Sequence, residues 1–455
     1  MTRAPSAGRT DRAALARLIG PTTPEDFGAS TWGRRPLLTT VEDRGGDTLG
    51  EVFSLTAVDE LIADRGLRTP FLRVAKDGTT LPDRAFTAGG GVGAGVADQV
   101  SEDRLLQLFA DGATIVLQGL HRTWPQVRDL GQSLAADLGH PVQANAYLTP
   151  AQNQGFASHY DVHDVFVLQV HGEKRWRVHE PVHRAPLRDE PWTDHREAVQ
   201  QRSAEEPFLE ATLCPGDVLY LPRGWIHSAR ALGGVSAHLT FGVHVWTRHH
   251  LAEGLLDRAA AGLRATHELR ASLAIGLDPG DAGHLETDVE IVRQALLDRL
   301  RELPAEEVGQ VLRGRARAAQ RPASLAPLAQ LAAADALQTD STLRLREQLM
   351  LEVLPAANEQ VSISSRAGRF ALPDTHVPAL DLLRAGRPVP VAELAAAIGR
   401  TDPDKLDAAP HDLDAAPHDL DAEVDTEVGL QLARTLVRRG VAVVVPAVGD
   451  TGEHV

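Results

Sequence analysis

Two histidines and one aspartate have the residue types and the spacing of a metal site. His159 and Asp161 are separated by one residue, so their side chains point to the same face of an extended segment. His227 lies far downstream, at the close of a turn marked by Pro222 and Gly224. Two imidazoles and one carboxylate bind Fe(II) as a facial triad and leave coordination positions open for substrate and O2. We therefore predict a metal site at these three residues, whose donors also accept Mn(II) and Zn(II).

Three other histidines lie close enough along the chain to compete for the metal. His163 has the same alternation as His159, but it would crowd the same face and has no partner on a matching turn. His171 and His179 follow further along the same stretch. We expect all three to face solvent or to support the ligands rather than to bind the metal.

Lys174 is the candidate for binding an anionic cosubstrate. The only lysines are Lys76, Lys174 and Lys405, in a chain whose other basic side chains are arginines. An iron ion with open positions suits chelation by a 2-oxo acid. The far carboxylate of such an acid needs a buried cation, because an unpaired buried charge is costly. We predict Lys174 in this role, on the second strand of a hairpin. The alternative is a solvated lysine at the end of that hairpin.

These residues belong to a β-rich region that extends to residue 247. The glycine-rich segment 89–95 lacks the pattern of a phosphate-binding loop, so we expect a flexible loop there. The predicted strands are runs rich in β-branched and aromatic residues: TIVLQGL (114–120), VFVLQV (165–170), RWRV (175–178), DVLYLP (217–222) and SAHLTFGVHV (236–245).

The rest of the chain divides into a helical region and a mixed region. Residues 248–345 repeat apolar positions at helical spacing, which predicts helices that pack internally or pair two protomers. Residues 346–455 mix strand-like and helical segments, as a winged helix does. Within them LDAAPHD occurs twice in succession, which is too short and polar for a solenoid. We expect a loop insertion there, with His411 and His418 in solvent.

The composition is that of a cytoplasmic globular protein of two or three domains. The chain has 455 residues, of which 43% are hydrophobic and 24% charged. Its single cysteine, Cys214, excludes an internal disulfide framework and is typical of a reducing compartment. No membrane helix or secretion signal is evident. A net charge of -16 argues against duplex nucleic acid as the main partner and is compatible with a basic protein.

Four segments together resemble the JmjC-type ribosomal oxygenases, a family of cupin-like 2-oxoglutarate oxygenases. They are TWGRRPLL (31–38), NAYLTP (145–150), GFASHYDVHDVFVLQVHGEKRWRV (155–178) and PGDVLYLPRGWIHSA (215–229). The resemblance covers essentially the whole chain and implies a multidomain α+β fold. The implied domains are a JmjC (cupin-like) double-stranded β-helix over 1–247, a helical dimerisation domain over 248–345, and a winged-helix-like domain over 346–455 with the repeat inserted at 406–422.

The resemblance also implies roles for individual residues. The triad would hold Fe(II), Lys174 would pair with the far carboxylate of 2-oxoglutarate, and Tyr147 would lie near this cosubstrate. Asn145 and Ser236 stand where the family has polar pocket residues. His163 departs from the acidic or aromatic residue that relatives often have, and the repeat interrupts the winged helix.

The function implied by the resemblance is that of an Fe(II)- and 2-oxoglutarate-dependent dioxygenase acting on protein. It would use O2 to hydroxylate an arginine or a histidine of a ribosomal protein, as a homodimer. Two alternatives stay open. One is a related oxygenase acting on a small molecule or a peptide natural product. The other is a non-catalytic cupin-like regulatory protein, against which the intact triad and the absence of a basic run after residue 346 argue.

Overall fold

The computed structural model describes residues 12–76, 78–151, 153, 156–399 and 419–446. His411 and His418 of the LDAAPHD repeat lie outside these described residues. The chain separates into two compact units, Arg9–Val245 and Trp246–Val455. Among the helices that are described, none combines the length and the apolar character needed to cross a membrane.

The first unit is built on strands that are mostly short and buried. These strands are β1 (Leu37–Thr39), β2 (Leu72–Lys76), β3 (Thr79–Thr80), β4 (Thr87–Ala88), β5 (Gln99–Val100), β6 (Thr114–Leu117), β7 (Val142–Thr149), β8 (Asp164–His179), β9 (Leu209–Leu213), β10 (Val218–Leu221) and β11 (Ile226–Val243). Nine of them form one antiparallel sheet in the order β1-β10-β8-β11-β7-β6-β2-β3, with β9 paired to β8, while β4 and β5 pair with each other. The predicted strands at 114–120 and 217–222 are thus confirmed as β6 and β10.

Seven helices surround this sheet. They are α1 (Ala13–Ile19), α2 (Pro24–Asp26), α3 (Leu55–Asp59), α4 (Glu102–Ala110), α5 (Leu120–Thr123), α6 (Pro125–Leu138) and α7 (Arg196–Ser203) among the described residues. Two π-helical turns, Phe27–Thr31 and Glu60–Asp64, continue α2 and α3. The sheet and these helices enclose one large apolar core, which includes Phe27, Phe166 and Tyr220.

The predicted hairpin around Lys174 is wrong, because VFVLQV and RWRV form a single 16-residue strand, β8. The first half of β8 pairs with β10 and the second half with β9. Gly172 lies between the halves with a φ of 62°, and a Cβ atom there would collide with the carbonyl oxygen of Val235 in β11. This bulge lets one strand bend and change partners without a turn.

The second unit begins with helices and continues with short strands and helices. The helices are α8 (Arg248–Leu263), α9 (Ala282–Glu302), α10 (Ala305–Ala319), α11 (Pro327–Asp335), α12 (Val377–Arg384), α13 (Val391–Ala397) and α14 (Asp419–Arg438). The strands are β12 (Thr342–Leu345), β13 (Glu352–Pro355), β14 (Gln360–Ser365), β15 (Gly368–Pro373), β16 (Val389–Pro390) and β17 (Ala442–Val445).

Two three-stranded sheets and one apolar cluster organise the end of the second unit. The sheets have the orders β16-β12-β17 and β13-β14-β15. The cluster joins Leu380, Leu394 and Leu436 to Ala334 and Leu343, which precede residue 346. Strand β12, which we placed in the helical region, therefore packs with the mixed segments that follow it.

Candidate metal centre and adjoining cavities

His159 and His227 are brought together by a pair of backbone hydrogen bonds rather than by a regular ladder. The His159 amide donates to the His227 carbonyl at 3.2 Å, and the His227 amide donates back at 2.8 Å. The amide of Gly224 donates to the Asp161 carbonyl at 3.0 Å. The prediction that His159 and Asp161 lie on a strand is wrong, because both precede β8 and only His159 forms an isolated bridge to β11.

The turn before His227 is as predicted, and it requires glycine. Gly224 has a φ of 86°, and a Cβ atom there would lie 2.6 Å from the carbonyl oxygen of His183. The turn therefore packs directly against the backbone of a neighbouring loop. It delivers His227, the second residue of β11, opposite the His159–Asp161 segment.

The three side chains present their ligand atoms to a common point. One ligand atom from each of His159, Asp161 and His227 lies within 4.8 Å of the others. The Nδ1 atom of His159 lies 2.8 Å from the Ala157 carbonyl, and that of His227 lies 3.0 Å from the Trp225 carbonyl. Because these carbonyls accept, each Nδ1 carries the proton and each Nε2 keeps its lone pair for a metal.

Charge in the site favours the protonation states that bind metal. Burial would raise the pKa of Asp161, but the imidazoles around it and the guanidinium of Arg73 together lower it. Burial, and then the neighbouring His159, lower the pKa of His227 to about 4. The carboxylate is therefore ionised and the His227 imidazole neutral at physiological pH. The Nε2 atoms of His159 and His227 and the Asp161 carboxylate are the donors that fit a divalent ion such as Fe(II).

Lys174 lies in the same cavity as the triad. The cavity has a volume of about 240 Å³, and among the described residues lining it Asp161 carries the only carboxylate. Lys174 is 3% exposed, which excludes the solvated lysine that we considered. Its ammonium donates to the Thr149 hydroxyl at 3.1 Å and lies 3.4 Å from Nδ1 of His238. Burial lowers the pKa of Lys174 to about 7.

A second cavity of about 410 Å³ meets the first at Asp161. The side chains that line both cavities are Arg73, Tyr147, Asp161 and Thr240. The second cavity is further lined by Gln118, His121, Gln143, Asn145 and His163. The first cavity, with Lys174, suits a small dianion, and the second offers a separate place for a side chain to approach the metal ligands.

Tyr147 and Asn145 line these cavities, whereas Ser236 does not. The Tyr147 ring stacks on the His238 ring at 5.0 Å, and burial and then the Asp161 charge raise its pKa. The Asn145 side-chain oxygen accepts from the Gly119 amide at 3.0 Å, on the second-cavity side. The buried Ser236 hydroxyl instead accepts from Gln169 at 2.9 Å, beside the bulge. The structure therefore separates Ser236 from the pocket position suggested by the resemblance.

Several lining residues were not identified from the sequence. Residues 143, 145, 147 and 149 are every second residue of β7 and therefore share one face of the strand. Once Tyr147 and Asn145 were predicted to line the pocket, the same spacing would have predicted Gln143 and Thr149 as lining residues. His238 lies directly across from Tyr147 in the β7–β11 register, which only the pairing reveals. Arg73 on β2 had no sequence signal.

The rival histidines take different places. His163 lines the second cavity beside Asp161 and does not join the triad. His171 is exposed. His179 is buried, 2% exposed, at the end of β8 opposite Ile226, so it does not face solvent. Among the described residues, His159, Asp161 and His227 form the one cluster suited to a metal.

Comparison with known proteins agrees with this site. The JmjC domain family matches residues 122–251, which include the whole triad. The chain is 28% identical over 304 residues to the Aedes aegypti bifunctional lysine-specific demethylase and histidyl-hydroxylase NO66, covering 64% of this chain and 44% of that protein. It is 29% identical over 252 residues to Homo sapiens ribosomal oxygenase 1, covering 54% of this chain and 36% of that protein.

The fold also matches a solved structure over nearly its whole length. The X-ray structure of E. coli ycfD aligns with 92% of this chain and 98% of its own, with a TM-score of 0.51 at 18% identity. Fold and site together define a JmjC-domain protein with a cupin-like fold in a multidomain chain of helices and strands, as predicted. Residues 122–251 match the JmjC domain family, and the chain is similar to the ribosomal oxygenases named above. It spans less than half the length of the two curated relatives described above.

Proposed function

We propose that this protein is an Fe(II)- and 2-oxoglutarate-dependent oxygenase that hydroxylates an arginine or histidine side chain of a ribosomal protein. The observation that carries the proposal is the arrangement of the first cavity. Three side chains suited to a metal and one buried lysine line the same cavity. The names of the relatives, histidyl-hydroxylase and ribosomal oxygenase, support the reaction and the substrate class.

In this proposal His159, Asp161 and His227 hold the iron through two Nε2 atoms and one carboxylate oxygen. Iron bound by such a triad supplies O2 activation coupled to the oxidative decarboxylation of 2-oxoglutarate. The backbone carbonyls of Ala157 and Trp225 keep both imidazoles in the metal-binding tautomer. The protein therefore enters the reaction with its ligands already oriented.

Lys174 and its neighbours bind the far carboxylate of 2-oxoglutarate. The ammonium donates to Thr149 at a buried position, where a charge-assisted hydrogen bond is strong. An incoming carboxylate satisfies the buried cation and restores its pKa toward the ordinary lysine range. The aromatic rings of Tyr147 and Trp176 line the same space.

We also propose that the second unit supports a homodimer and carries a winged-helix-like module. Large apolar side chains are exposed on α8 and α9, among them Leu256, Val289, Val292 and Leu297, and pairing of two protomers would cover them. The sheet β16-β12-β17 with α12, α13 and α14 has the mixture of elements of a winged helix. The absence of a basic run in residues 346–455, where Lys405 is the only lysine, favours protein contact over duplex nucleic acid for this module.

Two measurements test the proposal. Anaerobic addition of Fe(II) and 2-oxoglutarate should produce a weak visible charge-transfer band, and aerobic incubation should yield succinate. Mass spectrometry of ribosomal proteins from cells lacking this gene should show the loss of one added oxygen atom on one residue. Failure to form the band would contradict the oxygenase, while an unchanged set of ribosomal proteins would contradict the substrate class.

A further inference from the structure

The second cavity carries an excess of hydrogen-bond donors that nothing in the protein satisfies. The Nε–H of Arg73 is buried without an acceptor, and so is Nδ1 of His163. The Gln143 amide nitrogen lies 3.3 Å from Nε2 of His163. Because an amide NH2 group only donates, Nε2 accepts and Nδ1 carries the proton. Two buried donors thus remain to be paired at this cavity.

A third donor comes from His121. Its Nδ1 accepts from the Ala144 amide at 3.0 Å, and burial, then the nearby Arg122, lower its pKa to about 4. The ring is therefore neutral, with its proton on Nε2. Donors at Arg73, His121 and His163 are among the groups that line the cavity, and a bound group that pairs with these three has to bring acceptors.

The charged side chains of the cavity also favour a bound group that brings acceptors rather than a second cation. Among the described residues lining it, Arg73 is the cation and Asp161 is the only carboxylate. In the proposed function Asp161 is committed to the metal, so it is not free to neutralise a second cation. A guanidinium entering this cavity would meet the guanidinium of Arg73 and would bring five donors and no acceptor.

We infer that Arg73 determines substrate choice in the second cavity, which selects a neutral side chain with a hydrogen-bond acceptor, an imidazole or a carboxamide, over a guanidinium. A neutral imidazole offers one ring nitrogen as an acceptor, and a carboxamide offers its oxygen. Arg73 is placed for this role because it lines both cavities and is hydrogen-bonded to Tyr147, which also lines both. The inference rests on the proposed function, because it assumes that the target side chain approaches the metal through this cavity.

The test uses three capped tripeptides, acetyl-Gly-X-Gly-amide with His, Gln or Arg as X. The full-length protein is loaded with Mn(II) and 2-oxoglutarate without O2, and paramagnetic broadening of the probe side-chain resonances reports binding near the metal. The Gln and His probes should bind about tenfold more tightly than the Arg probe, the effect of about one hydrogen bond to a charged donor. If the Gln and His probes bind with similar affinity, direct coordination of the metal by the His imidazole does not explain the preference over the Arg probe.

Arg73→Gln should reduce the preference to within about twofold, because it removes both the charge and the charged donor. Arg128→Gln, which changes an arginine paired with Asp129 on α6, is the matched control and should keep the tenfold preference. The inference is overturned if the Arg probe binds wild-type protein as well as the Gln probe does, or if no probe binds. It is also overturned if Arg73→Gln leaves the preference intact, or if it weakens 2-oxoglutarate binding without changing the preference.

The loading step separates this inference from the proposed function. Water-proton relaxation reports Mn(II) binding, and its change on adding 2-oxoglutarate reports cosubstrate binding, before any probe is present. Protein that fails to load contradicts the oxygenase itself. Protein that loads normally but does not discriminate between the probes contradicts only the role of Arg73.

Discussion

The two cavities share Asp161 as a lining residue but suit bound groups of different charge. The first ends in Lys174, a cation fully enclosed and held by Thr149, and it suits a compact dianion. The second is larger and is lined by Arg73, amides and imidazoles whose donors point to a neutral acceptor. One face of β7 serves both, with Thr149 in the first cavity and Asn145 in the second. In the proposed function, this single strand would contact the cosubstrate through Thr149 and the substrate through Asn145.

The largest expected effect comes from removing a ligand between the cavities. His159→Ala should lower metal affinity by more than about 100-fold, because it removes one of three protein ligands, and loss of a supporting residue alone can cost that much. Metal content after equilibrium dialysis and the anaerobic charge-transfer band measure it. His171→Ala, on an exposed histidine of the same stretch, is the control and should bind metal normally. Retention of metal by His159→Ala would show that the triad is assigned incorrectly.

Lys174→Met should affect only the first cavity. Loss of the charge-assisted hydrogen bond should weaken 2-oxoglutarate binding by about 100-fold while metal content is unchanged. The same change should raise the Tm of the free protein, since a buried ammonium is costly and methionine fills a similar volume. Titration of the charge-transfer band and thermal unfolding measure the two effects. Lys76→Met, on another lysine of the same unit, should leave the 2-oxoglutarate affinity unchanged.

The depressed pKa of Lys174 predicts a pH dependence confined to the first cavity. With a pKa of about 7 in the free protein, the ammonium is lost as pH rises, so 2-oxoglutarate affinity should fall by up to about tenfold per pH unit above 7. Isothermal titration without O2 across this range measures it. Lys174→Arg should flatten the profile, because a guanidinium stays protonated. A wild-type profile that is also flat would mean that Lys174 does not pair with the cosubstrate.

The same shift has a consequence for folding. Between pH 7 and the ordinary lysine range, the unfolded chain binds more protons than the folded chain. Stability of the free protein should therefore rise with pH through this window, and the contribution of Lys174 should be absent in Lys174→Met. Bound 2-oxoglutarate should reverse the trend, because it favours the protonated lysine.

The sequence carried enough information for the metal ligands but not for the second cavity. His159 and Asp161 are separated by one residue, and the turn before His227 is marked by Pro222 and Gly224, so residue type and spacing indicate the ligands although the first two do not lie on a strand. Arg73 reaches the site from a strand far upstream through the sheet order β7-β6-β2, which local patterns do not encode. The predicted hairpin failed for a similar reason. Gly172 looks like a turn residue, but close approach of Val235 makes it a bulge.

The smallest expected effect concerns Ser236, which resemblance placed in the pocket and the structure places beside the bulge. Its hydroxyl accepts from Gln169, whose amide also donates to the carbonyls of His171 and Gly172 at 2.9 Å each. Ser236→Ala removes one of three acceptors, so it should cost about 1 kcal/mol of unfolding free energy. Because the hydroxyl does not line either cavity, 2-oxoglutarate affinity should stay within about twofold of wild type. Denaturant unfolding and cosubstrate titration measure the two quantities. A tenfold loss of 2-oxoglutarate affinity at unchanged stability would show that Ser236 contributes to cosubstrate binding, as the resemblance implied.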